Sequence, residues 1–204
     1  MSDSPSFAGS GLPGVLAAYS AQLERAVAEV APSALDALAA DVNAAWQDGR
    51  QLFICGNGGS AANAIHLAND FFYGVAPGSQ PGMRVHALPA NTAITTCLGT
   101  DIGYERIFSE QLIVLANPDD VLLVLSGSGN SPNILEALKQ ARRQGIRSHA
   151  ILGFDGGKAL GLADNALHVG ADDMQIAEDA QMVIGHALMQ LLNRAASAAE
   201  PNDE

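Results

Sequence analysis

The chain has 204 residues, 48% of them hydrophobic, which suits one domain with a sizeable core. Ten Lys and Arg against 22 Asp and Glu leave a formal charge of −12, which excludes a surface built to neutralise a nucleic-acid backbone. Cys55 and Cys97 are too few for a disulfide framework, residues before Gly14 lack the pattern of a secretion signal, and no apolar run nears the ~18 residues that span a bilayer, so a cytoplasmic protein with neither a membrane nor a nucleic-acid partner is expected.

In chain order, residues 1–11 are rich in Ser, Gly and Pro and are expected to be disordered, as is the tail 195–204, leaving a single domain over 12–194. An Ala and Leu pattern at helical spacing from Leu12 to Gln47 breaks near Pro32, which predicts two helices, the second with Ser33 as N-cap. From Gln51 the pattern alternates: strand 51–55, helix about 60–73, strand 84–88, helix about 91–98, strand 121–126, helix about 131–144, strand 148–153, strand 166–169 and a long helix from about Met174 to Arg194. Strands alternating with helices predict an α/β fold, a doubly wound, flavodoxin-like parallel sheet with ligands at the carboxyl ends of its strands. The last helix is apolar over most of its circumference (Met182, Val183, Ile184, Ala187, Leu188, Leu191), which predicts burial and, with the Ala-rich first helices, a homo-oligomeric interface. A tetramer is expected.

Two strand ends open into glycine and serine loops, Cys55-Gly56-Asn57-Gly58-Gly59-Ser60 and Ser126-Gly127-Ser128-Gly129-Asn130-Ser131, each followed by a helix. Glycines allow successive N–H groups to converge, and the helix adds the positive end of its dipole, so such loops bind anions. Neither loop holds a Lys or Arg, which favours a small phosphate held by amides and hydroxyls. Gly56 to Ala61 also satisfies G-x-G-x-x-A, but strand 84–88 ends in Pro89-Ala90-Asn91 where a dinucleotide fold wants an acidic residue, so no nucleotide cofactor is expected. The run Gly153 to Ala159 lacks the hydroxyl that meets magnesium in a phosphate loop and is expected to be a turn.

On the helix after the first loop, Asn63, His66 and Asp70 fall on one polar stripe, while Ile65, Ala68 and Phe72 are expected to face the core. His186 lies in the most apolar helix, where an unpartnered polar group costs ~1–3 kcal/mol.

Taken together, the two loops, the Thr100-Asp101 pair, Gly153-Phe154-Asp155-Gly156-Gly157 and the last helix resemble the sugar isomerase (SIS) domain family, and within it the phosphoheptose isomerases, from about Leu16 to Leu192. The resemblance implies aldose–ketose interconversion of sedoheptulose 7-phosphate and D-glycero-D-manno-heptose 7-phosphate, for heptose precursors of bacterial glycans such as lipopolysaccharide. It implies phosphate binding by Ser126, Gly127, Ser128 and Ser131, and sugar contacts from Asn57, Gly58, Gly59, Ser60, Thr100, Asp101 and Glu178. Asp70 and His186 become the catalytic pair, and His66, Asp70, Glu178 and His186 a zinc set. Three positions depart from the family: Thr100 stands where it has Asn, Asp70 where it has Glu, and Glu178 where it has Gln. On a regular helix Glu178 and His186 are ~12 Å apart in rise, which a site between subunits would resolve. Isomerisation of another phosphosugar, or a non-catalytic adaptor binding a replication initiator protein, are the alternatives; retention of His186 speaks against the adaptor.

Overall fold

The computed structural model describes residues 11–78 and 81–198. Strands β1 (Gln51–Cys55) and β3 (Val121–Ser126) are buried along their whole length, which is why both are short runs without charge. They pair in parallel, Leu52 opposite Val121 and Cys55 opposite Val124. With β2 (Arg84–Ala87), β4 (Arg147–Leu152) and β5 (Asn165–His168) they form a five-stranded sheet of order β2-β1-β3-β4-β5, parallel throughout. This is the expected doubly wound sheet.

Alternate strand residues serve opposite faces. Leu52, Ile54, Leu123 and Leu125 pack with helices α1 (Gly11–Ala28), α2 (Pro32–Gln47), α3 (Gly59–Asn69) and α7 (Met174–Ala198). Phe53, Cys55, Leu122 and Val124 pack with α5 (Ser109–Leu115) and α6 (Pro132–Gln144), while α4 (Thr92–Asp101) has no buried residue. At the amino ends of the strands, buried Asp120 accepts hydrogen bonds from Gln51 N at 2.8 Å, Gln51 Nε2 at 3.1 Å and Asn117 N at 2.8 Å. A buried carboxylate satisfied in this way fixes how β1 and β3 start relative to each other.

Several local expectations are corrected. Helix α2 begins at Pro32 with Ala31 as N-cap, so Ser33 lies inside the first turn; proline's fixed φ suits that place and leaves the cap without a side-chain bond. On α3 the core-facing residues are Ala64 and Leu67, followed by Phe71, whereas Ile65 and Phe72 are exposed. Ala68 does pack against the core. Ala64, Leu67 and Phe71 keep regular i, i+3, i+7 spacing, so the buried stripe lies one residue before the expected one and runs into the wider π turn at Asp70–Gly74. The last helix is buried on one stripe through Ile176, Ala180, Ile184, Leu188 and Leu192, but Val183 and Leu191 remain 41% and 53% exposed. It also runs on to Ala198, so residues 195–198 of the expected tail are helical, and Gly11 opens α1; residues 1–10 and 199–204 lie outside the described residues. Helix α5 was not anticipated.

His149 on β4 is wholly buried beneath α2. Asn165 Nδ2 donates to its Nδ1 at 2.9 Å and to Ala34 O at 2.9 Å, so the imidazole proton sits on Nε2 and the ring is neutral. Asp41 Oδ2 lies 3.0 Å from Nε2 but out of line for a hydrogen bond, and it also accepts from Arg147 Nε. Burial therefore outweighs the attraction of Asp41 and holds the imidazole below its ordinary pKa. The unfolded chain then binds this proton more readily, so stability is full above the ordinary value of ~6.5 and is lost as pH falls through it. The melting temperature is expected to drop by on the order of a few °C between pH 7.5 and 5.5. His149→Gln should flatten that drop, and an equal drop in the variant would remove His149 as its cause.

Candidate active site

Between β1 and β3 the chain order of the sheet reverses, and in such sheets the crevice outside the carboxyl ends at this point is where ligands bind. A cavity of about 280 Å³ lies there, lined by Asn57–Ser60 after β1, by Ser126–Ser128 and Ser131 after β3, and by Met174 and Glu178 of α7. Both glycine loops thus face one space.

The second loop is arranged as a neutral anion grip. Ser126 Oγ accepts from Gly129 N at 3.0 Å and Ser128 Oγ from Asn130 N at 3.3 Å, so each keeps its own proton to donate. Ser131 is the N-cap of α6 yet spends no side-chain bond on the cap. The run 153–159 is a turn, as expected, and it braces this loop: Gly153 N donates to Ser126 O, Ala159 N to Gly129 O and Lys158 N to the Asn130 side chain. Gly129 has φ +62° and its Cα faces Gly156 O so closely that a Cβ has no place. The first loop is tied to the second by a reciprocal amide pair. Asn57 Nδ2 donates to Asn133 Oδ1 at 2.9 Å and Asn133 Nδ2 returns a bond to Asn57 Oδ1 at 2.8 Å.

Further along α3, the polar stripe meets α7. His66 Nε2 and His186 Nε2 are 3.0 Å apart, and Asp70 Oδ2 lies 3.4 Å from the first and 3.2 Å from the second. Their rings meet edge to face. Three lone-pair donors converge here, and a tetrahedron with metal–ligand bonds of ~2.0–2.1 Å has edges of ~3.3 Å, so the set fits a zinc ion with one position open. Both imidazoles are about half exposed on the helix pair.

Asp70, His66 and His186 are therefore brought together, 120 residues of sequence separating the two imidazoles. Glu178 is not part of that group. Its carboxylate lies flat against Gly59, at the cavity end of α3, where any Cβ would overlap it. Thr100 and Asp101 do not line the cavity: Thr100 Oγ1 is occupied with Thr96 O, Cys97 O and Asp101 Oδ1. Sequence reasoning missed Met174, Asn133 as the partner of Asn57, and Gln181, a fully buried glutamine of α7 that binds Ser60 and Asn63. Gln181 alone left a signal, a polar residue on the buried stripe of an apolar helix.

Comparison with known proteins agrees with this architecture. The family described as "SIS domain" matches residues 16–153. The phosphoheptose isomerase of Pelodictyon phaeoclathratiforme is 37% identical over 180 residues, covering 86% of this chain and 84% of its own. Solved structures of phosphoheptose isomerases from Francisella tularensis and Neisseria gonorrhoeae superpose with TM-scores of 0.83 and 0.77, at 26% and 28% identity. They cover 90% and 89% of this chain and 98% and 99% of theirs.

The two glycines make a contrasting test. The nearest atoms that Gly59→Ala meets are the flexible end of Glu178, so the protein should melt near the wild-type temperature while the carboxylate is displaced and phosphosugar binding weakens. Gly129→Ala meets backbone at positive φ and should cost about 1–3 kcal/mol, read by thermal melting. Equal melting losses in the two variants would contradict the packing described.

Proposed function

The chain belongs to the phosphoheptose isomerase family of SIS-domain proteins, and from that premise we propose that it interconverts sedoheptulose 7-phosphate and D-glycero-D-manno-heptose 7-phosphate in the cytoplasm, supplying heptose for bacterial glycans. The observation that carries this reading is the meeting of Asp70 with His186 on the same helix pair whose other end borders the neutral anion grip.

The ligand's phosphate sits against Ser126, Gly127, Ser128 and Ser131, and Asn57, Gly58, Gly59, Ser60 and Glu178 contact the sugar. Held by groups remote from the reaction, the reacting carbons are positioned by binding. Isomerisation removes a proton from C1 of the ketose, passes through an enediol and returns a proton to C2, while O1 loses a proton and O2 gains one. Asp70 Oδ2 faces the imidazoles, and Oδ1, which accepts one long bond of 3.4 Å from Asn69 Nδ2, keeps a lone pair to act as the base that moves the carbon-bound proton. His186 serves the oxygens. A zinc ion held by His66, Asp70 and His186 would polarise the carbonyl. The rise from Glu178 to His186 is ~12 Å, of the order of an extended seven-carbon chain with its phosphate, which supports a long phosphosugar over a short one.

The two imidazoles of the triad are about half exposed, with exposed Ile65, Phe72 and Val183 nearby in sequence on the same helical segments. An apolar groove of about 220 Å³ runs between α2 and α7 through Leu35, Leu38, Ala187 and Leu191. These surfaces support a homo-oligomer, a tetramer, assembled through α1, α2 and α7.

Turnover of sedoheptulose 7-phosphate is expected for the wild type, with kcat lowered at least ~100-fold in Asp70→Asn and in His186→Gln. His66→Ala should lose zinc in equilibrium dialysis. Undiminished turnover in both catalytic variants would remove the assignment, and conversion of only a shorter phosphosugar would replace the substrate. Light scattering should give a tetramer that Leu191→Glu breaks into smaller particles; a wild-type monomer would overturn the assembly.

A further inference from the structure

From the cavity a small, largely buried network runs along the seam between α3 and α7, and its polarity can be read without ambiguity. Asn63 on α3 lies 2.9 Å from the carbonyl oxygen of Glu178 and 3.0 Å from the side chain of Gln181, both through Nδ2. A backbone carbonyl only accepts, so the Asn63 atom facing it is the NH₂ group. Its second hydrogen is directed at Gln181, so the Gln181 atom there is Oε1. Nε2 of Gln181 must then be the atom 3.1 Å from Ser60 Oγ, and it donates. Gln181 is 0% and Ser60 3% exposed, so no alternative orientation can exchange its bonds freely with water.

The chain of bonds has one loose end. Ser60 Oγ uses a lone pair on Gln181, and among the described residues its own proton has no protein acceptor. Ser60 lines the cavity at the start of α3, where the helix dipole favours a negative or acceptor group. We propose that Gln181 and Asn63 are positioning residues that commit the Ser60 hydroxyl as a hydrogen-bond donor to an oxygen of the bound phosphosugar. The proposal rests on the phosphosugar reading of this cavity and adds to it a fixed direction for one bond.

Neither Gln181 nor Asn63 touches the ligand. They act through Ser60, and the same network fixes the sliding of α3 against α7, the helices that carry the histidine pair. A role confined to packing would leave ligand binding insensitive to whether Ser60 has a hydroxyl; a role through Ser60 makes the two substitutions interdependent. Removing the donor at position 181 frees the Ser60 proton to turn away from the ligand. Placing an acceptor there draws the proton inward.

The test is a double-mutant cycle on sedoheptulose 7-phosphate, with KM and kcat measured separately and folding checked by thermal melting. Ser60→Ala and Gln181→Glu are each expected to raise KM about tenfold, one hydrogen bond's worth, with kcat within a few-fold of wild type. In the Ser60→Ala background Gln181→Glu should add less than twofold. Ser60→Thr, which keeps the hydroxyl, should stay sensitive to position 181. Gln181→Met, which has no charge to bury, repeats the cycle should the glutamate variant fail to fold. Full and independent losses in the double variant would overturn the proposal while leaving the isomerase reading intact. A wild-type protein that neither turns over nor binds the sugar in calorimetry would overturn both.

Discussion

The close seam between α3 and α7 is the constraint on which both halves of the site depend. Gly185 of α7 leaves no room for a Cβ against Leu67 of α3, and Gly59 of α3 leaves none against the Glu178 carboxylate. Between these contacts lies the Asn63–Gln181 pair, and beyond them His66 meets His186. Two helices this near cannot slide by a turn without breaking a buried polar network, which costs ~1–3 kcal/mol for each group left unpaired. Held in that register, α3 presents its first turn to the cavity and its last to the metal-ligand triad.

The sheet does the complementary work. Because β1 and β3 are neighbours and both run toward the same edge, the loops that follow them open side by side, and the Asn57–Asn133 pair joins them. Neither loop holds a Lys or Arg, so the anion-binding groups that the loops themselves offer are hydroxyls and helix ends. The turn over 153–159 holds it from behind through bonds to backbone, with Phe154 at φ +47° as one of two non-glycine residues in that region among those described.

How much of this was legible in the sequence depended on the range of the interactions. Strands 51–55 and 121–126 were read to the residue, because strands covered on both faces carry a charge-free signature of their own. Helix α5 escaped, since Ile113, Val114 and Leu115 are exposed and give no amphipathic period. The core stripe of α3 was read one residue out, at Ile65 and Phe72 instead of Ala64 and Phe71, because neighbouring apolar residues give two stripes of equal period and only the packing against α7 and the sheet chooses between them. His66 and Asp70 stood out by their spacing of four; that His186 completes them, and that Glu178 does not, is a matter of how α3 and α7 lie together. Spacing along α7 showed only that Glu178 and His186 could not share an ion within one helix. What Glu178 does face, Gly59, belongs to an element far away in sequence.

Among the described residues no cationic side chain lines the cavity, which bears on how a phosphosugar would arrive. Glu178 is the one charged residue lining the cavity among the described residues, and the chain as a whole carries a formal charge of −12. A net charge of that sign repels a phosphosugar dianion at long range, so capture falls to oriented dipoles at short range. Mobile ions shorten the reach of that repulsion to about a Debye length, ~8 Å at physiological ionic strength. Salt, which slows encounter wherever lysines and arginines attract the ligand, here assists it.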